Sequence, residues 1–135
     1  MRGNGDMIQI KDISVMEGIL QVAFDSMIIE ILKWVDSEWL NKLVITSGYR
    51  AGDTGVHGTD PCRGVDLRSW VFKNPIEIKN LINKYWVYDP DRPKKMVCVY
   101  HKVNGGGWHF HVQVCSKTRL RRFSNGEIIR EVQNG

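Results

Sequence analysis

Between Val22 and Trp39, apolar residues recur at steps of three and four: Phe24, Met27, Ile28, Ile31, Leu32 and Val35. That spacing follows the helical turn and predicts one helix with a single buried stripe over about Val22 to Trp39. The segment before it, through about Ile19, carries no element assignment. Leu43 to Thr46 is a short β-branched run and reads as a strand, as does Gly64 to Arg68. Between them, Ser47 to Arg63 holds four glycines, one proline and few apolar residues, so it reads as a long loop. Seventeen residues without regular structure inside a small domain usually serve function. Asn74-Pro75 opens a second helix, with Asn74 as N-cap, Pro75 in the first position, and Ile76, Ile78, Leu81, Ile82 and Tyr85 as its apolar positions. The run Asp89 to Lys95 is a turn or loop. Lys95 to Lys102 and Trp108 to Val114 flank Val103-Asn104-Gly105-Gly106-Gly107, the pattern of a β-hairpin.

These elements predict an α+β fold: a single domain with helices packed on one antiparallel sheet, one hairpin of which carries the His-Phe-His motif. The chain has 135 residues, enough to bury roughly two-thirds of its unfolded surface without a disulfide or metal staple. With no repeat and no linker, residues 1–135 read as one domain, its core spanning about 20–115 and residues 116–135 forming a basic C-terminal tail. No apolar run exceeds Met96 to Tyr100, so no membrane span and no membrane partner are expected. The first residues lack the apolar stretch of a secretory signal, which points to the cytoplasm of the producing cell.

The net charge of +4 is unevenly spread. From Ser116 onward, Lys117, Arg119, Arg121, Arg122 and Arg130 face only Glu127 and Glu131, leaving the body of the chain close to neutral. A basic terminus suits a polyanion or plain solvation; solvation is the expectation, and no nucleic-acid partner is expected. Three cysteines, none in a Cys-x-x-Cys, indicate neither a zinc ribbon nor a thioredoxin-like site, and they are expected to be reduced. A monomer is the default, with oligomeric state left open.

All four histidines, His57, His101, His109 and His111, fall in the long loop or the expected hairpin. His109 and His111 are two apart on a strand, so both project from one face, while Phe110 and Val112 project from the other. If Lys102 pairs with Trp108, His101 stands opposite His109 and Val99 opposite His111. A one-residue slip would move His101 away. His57 precedes Asp66 by nine residues, and a charge within the apolar run Gly64-Val65-Asp66-Leu67 calls for a buried partner. His57, Asp66 and one hairpin histidine could form a tetrahedral metal site with its fourth position open, the arrangement of catalytic rather than structural zinc. Cys62, between the two, is a lesser competitor for the metal. Trp34, Trp39, Trp70 and Trp86 read as core or helix-packing aromatics, and Trp108 as either packing or groove wall.

The run Ile45-Thr46-Ser47-Gly48-Tyr49-Arg50, then His57, then Gly64-Val65-Asp66-Leu67-Arg68, then Trp108-His109-Phe110-His111, resembles the LAS-type zinc metallopeptidases. Within them it is most similar to the D-alanyl-D-alanine carboxypeptidase and L-alanyl-D-glutamate endopeptidase group, which includes small phage lysis enzymes. The resemblance covers about Leu43 to Val114. It implies a hydrolase that cuts the peptide stems of bacterial peptidoglycan with zinc-activated water, one Zn2+ per chain, and action on the cell wall after release. By position it implies His57, Asp66 and His111 as metal ligands, His109 as the residue that orients water or steadies the oxyanion, and Arg50 as the contact to the substrate's carbonyl or carboxylate. A catalytically degenerate zinc domain that binds cell-wall peptide, or serves a phage structural role, is the alternative.

The chain departs from the family pattern twice. The first histidine and the aspartate are usually seven apart, and Thr59-Asp60-Pro61-Cys62-Arg63 lengthens the gap here. Many members also carry Glu or Asp three residues before the last ligand as general base, where this chain has Trp108. Either His109 or an acid such as Asp60 takes that role, or the chain is inactive.

Overall fold

The computed structural model describes residues 8–39, 43–102, 106–124 and 127–129. In chain order the elements are β1 (Gln9–Ile10), α1 (Ile13–Gln21), α2 (Ser26–Glu38), β2 (Val44–Ser47), β3 (Gly64–Arg68), α3 (Pro75–Tyr85), β4 (Trp86–Val87), β5 (Cys98–Lys102), β6 (Trp108–Gln113), β7 (Arg119–Leu120), β8 (Arg122–Ser124) and β9 (Glu127–Ile129). Each helix starts where a side chain satisfies its first free N–H groups. Asp12 accepts from Ser14 and Val15, Asp25 from Met27, and Asn74 from Glu77, with Pro75 next in the first position of α3. Among the described residues, no helix is long and apolar enough to cross a membrane.

The main sheet has the order β1-β2-β3-β6-β5. β2, β3, β6 and β5 pair antiparallel, whereas β1 runs parallel to β2, so the sheet is mostly rather than wholly antiparallel. Two small ribbons accompany it, β4 with β7 and β8 with β9. α2 buries Ile28, Ile31, Leu32 and Val35, and α3 buries Ile78 and Ile82. These meet Val65, Leu67, Phe110 and Val112 in one apolar cluster. Trp34 closes one side, with its ring against Trp39, Tyr85 and Trp86. The fold is thus α+β in a single small domain, one sheet face packed and the other left to polar side chains.

Four expectations change. The helix placed from Val22 begins at Ser26, because Ala23 and Phe24 run alongside Cys62, where Cys62 N–H donates to the Ala23 carbonyl at 2.9 Å. The unassigned segment before it forms α1, capped by Asp12. Trp70, expected in packing, is 72% exposed. The basic tail is partly built into the fold, since Arg119–Leu120 pairs with Trp86–Val87. Residues 103–105 of the expected hairpin turn lie outside the described residues, as do 130–135 of the tail.

Candidate metal centre

Strand alternation sorts the site residues onto the polar sheet face. Asp66 and Arg68 of β3 project opposite Val65 and Leu67, and they pair with His111 and His109 of β6. β5 adds His101 opposite His109 and Val99 opposite His111. The fourth histidine arrives from the loop after β2. That loop doubles back on itself, with Arg50 N–H donating to the His57 carbonyl at 2.7 Å and Arg63 N–H to the Val56 carbonyl at 3.2 Å. A short 3-10 turn, Val56–Gly58, presents His57, and it closes only with glycine at its end because a Cβ on Gly58 would run into the Asp53 carbonyl.

His57, Asp66 and His111 converge, and they form the group able to hold a metal ion among the described residues. His57 Nε2 lies 3.1 Å from Asp66 Oδ1 and 3.3 Å from His111 Nδ1, and His111 Nδ1 lies 3.0 Å from Asp66 Oδ1. His57 and Asp66 are buried and His111 is partly so. The other two sequence candidates stand at the rim. His109 Nε2 is 3.7 Å from Asp66 Oδ2, and the Arg50 guanidinium is 3.8 Å from the same oxygen while also reaching Asp53 at 3.6 Å.

The outer hydrogen bonds fix which way the lone pairs point. His57 Nδ1–H donates to the Gly48 carbonyl at 2.8 Å, which leaves Nε2 as its bare acceptor. Gln113 Nε2 donates to the Met96 carbonyl at 2.9 Å, so its Oε1 faces His111 and receives Nε2–H at 3.2 Å. His111 Nδ1 is therefore its bare acceptor. Two imidazole lone pairs and one carboxylate oxygen then meet with no hydrogen of their own between them. Such a triangle is stable only with added positive charge, as shared protons or as a metal ion. Its edges of 3.0–3.3 Å fit a tetrahedral ion, for which bonds of about 2.0–2.1 Å put ligand atoms about 3.3 Å apart. The donor set fits a metal, and two imidazoles with one carboxylate suit zinc among other transition ions.

Asp66 carries the electrostatic signature of this centre. Burial opposes its charged form, but with no metal bound the protons that His111 and His57 share with its Oδ1, and the charges of His57 and His109, outweigh that and hold its carboxyl well below the usual range. His101 joins as a neighbour rather than a ligand, its ring 4.5 Å from that of His109. Burial first, then the neighbouring histidines, push its pKa down, and its buried Nε2 has no hydrogen-bond partner among the described residues. Cys62 points away: Sγ–H donates to the Gly64 carbonyl at 3.2 Å, and burial pushes the thiol up. Asp60 is exposed. Trp108 alternates onto the face of Phe110, its ring 4.9 Å from Tyr100. Gln113, which orients His111, was not a sequence candidate; lying two residues beyond His111 on the same strand face was its one available signal.

Comparison with family models, with curated proteins and with solved structures finds no match.

Proposed function

We propose that the protein is a zinc-dependent peptidase that hydrolyses peptide bonds in the peptide stems of bacterial peptidoglycan. The observation that carries this reading is the convergence of His57, Asp66 and His111 into an acceptor triangle, with His109 and Arg50 at its rim. In this reading His57, Asp66 and His111 hold the zinc. When bound, zinc supplies Lewis acidity that polarises a carbonyl oxygen and acidifies water. His109, partly exposed, holds and moves a proton at Nε2: water adds to the scissile carbonyl carbon, the C–N bond breaks, and the water's proton leaves on the amine. Arg50, half exposed and always charged, donates N–H to the oxygen on which negative charge develops. The Gly48 carbonyl and Gln113 hold the two imidazoles in the required tautomer. The protein would meet its substrate at the cell wall after release from the producing cell, as phage lysis enzymes do.

One observation favours a second reading, a degenerate domain that binds cell-wall peptide or serves a phage structural role. Position 108 is Trp, and among the described residues the metal-binding group contains no carboxylate besides Asp66. Incubating zinc-loaded protein with synthetic stem peptides and following products by mass spectrometry separates the two. The peptidase reading expects cleavage that His109→Ala abolishes while zinc is retained. Full activity in His109→Ala would overturn the role given to that residue, and stoichiometric zinc without cleavage of any stem peptide would favour the binding reading.

A further inference from the structure

The polar sheet face continues past the metal centre as a groove of about 350 Å³, lined by Lys11, Thr46, Arg68, Trp70, Asp66 and His109 among others. Its size suits a few residues of an extended peptide. Alternation sets Arg68 beside His109 and two residues from Asp66 on one face of β3. Lys11 follows β1, with its N–H donating to the Ile45 carbonyl at 2.9 Å, and so lies alongside Thr46 of β2; Arg68 lies beyond the Ile45–Leu67 pair of β2 and β3, and both side chains line the one groove.

The charge balance of this groove is lopsided. Among the described residues that line it, the one carboxylate, Asp66, is engaged by His57, His111, His109 and Arg50. Among the described residues, neither Lys11 nor Arg68 has a carboxylate within ion-pair distance. The Arg68 guanidinium lies over the Trp70 ring at 4.8 Å, which occupies its flat face and leaves its N–H edge for a planar acceptor. Trp70 itself is 72% exposed, an apolar surface left in water beside a polar groove.

We infer that this groove is an anion subsite, in which Lys11 and Arg68 hold a free carboxylate of the substrate peptide while Trp70 supports the chain carrying it. The inference rests on the peptidase reading and deepens it by naming the substrate class: acidic peptides whose free carboxylate lies close to the scissile bond. Cross-strand neighbours such as Arg68 and His109 stand about 5 Å apart at Cβ, and an extended peptide advances about 3.3–3.6 Å per residue. Arg68 therefore serves a carboxylate one or two residues from the reacting carbonyl.

The test compares two synthetic stem tetrapeptides, one with its glutamyl carboxylate free and one with that carboxylate amidated. Hydrolysis is measured with the zinc-loaded full chain, and binding by calorimetry in the His109→Ala background. The free acid is expected to be preferred, with Arg68→Gln and Lys11→Gln each reducing the preference roughly tenfold, the scale of a charge-assisted hydrogen bond. The loss should be read in KM, with zinc content matching the parent to show that each variant folds. If both peptides are cleaved with equal efficiency, the subsite is overturned and the peptidase reading stands. If neither is cleaved but the acid binds preferentially, and the variants lose that preference, the subsite stands and the peptidase reading falls. Equal binding or no binding of both peptides overturns the subsite.

Discussion

Gln113 offers a sharp perturbation of the metal centre because it touches no proposed ligand atom. Its Oε1 accepts from His111 Nε2 at 3.2 Å, and its Nε2 anchors on the Met96 carbonyl at 2.9 Å. Gln113→Leu keeps a buried side chain of similar bulk and removes the acceptor that fixes the His111 tautomer. Loss of such an outer partner weakens a metal site about 10–100-fold, which corresponds to about 1.4–2.7 kcal/mol. The fold itself should lose about 1–3 kcal/mol from the two broken hydrogen bonds. Gln113→Glu supplies the control: it restores an acceptor opposite His111 Nε2 while losing the donor to Met96. Competition with a chromophoric chelator gives the zinc Kd, and urea unfolding of metal-free protein isolates the packing cost. The expected order places Gln113→Leu clearly weaker than the parent and Gln113→Glu at least equal to it. Parental affinity in Gln113→Leu, or equal weakening in both variants, would refute the tautomer argument.

Three further outcomes follow from the rest of the structure. Phe110, 1% exposed with its ring 5.8 Å from Phe72 and 5.5 Å from Tyr100, should cost about 3–5 kcal/mol as Phe110→Ala in urea unfolding; a loss under about 1.5 kcal/mol would place the core elsewhere. The Asp89 carboxyl is held below the usual range, first by the Arg92 guanidinium at 2.8 Å and then by the Asp91 N–H. Because the folded value is depressed, its stabilisation is present above the ordinary carboxylate pKa of about 3.9 and is lost as pH falls through the lower value. The stability gap between parent and Asp89→Asn should therefore close on acidification, and a gap that widened would contradict the assignment. Burial pushes the Cys62 and Cys98 thiols up, so both should resist a thiol reagent in native protein and react only on unfolding; immediate modification of all three cysteines would show the interior to be open.

What the sequence disclosed divides along physical lines. The stripe of α2 and the Asn74-Pro75 start of α3 were legible because each is local, set by helical spacing or by one cap. The two histidine faces of β5 and β6 were legible because alternation leaves one choice once Lys102 faces Trp108. Helix α1 was not, since it is only nine residues long and much of its apolar side stays in water: Ile13 and Leu20 are 72% and 77% exposed, and Val15 alone is buried. The Asp12 cap was its readable signal. β1 and β7, two residues each, are too short for any periodicity and exist because a neighbouring strand receives them. In the metal centre, the donor types were visible in the sequence, whereas the partners that aim them were not. The Gly48 carbonyl reaches His57 only because the loop folds back, and Gln113 reaches His111 only because Met96 anchors its amide. Trp70 shows the same limit, since an indole reads as core in sequence whether it faces helices or solvent.

The central claim is that three acceptor atoms from His57, Asp66 and His111 share one positive centre, and that this centre is a metal ion. Elemental analysis of protein purified without a histidine tag, with His57→Ala alongside, tests it most directly. About one zinc per chain is expected in the parent and none in the variant. Absence of metal in the parent, even after incubation with zinc, would mean that protons alone hold the triangle together, and would remove the peptidase reading with it.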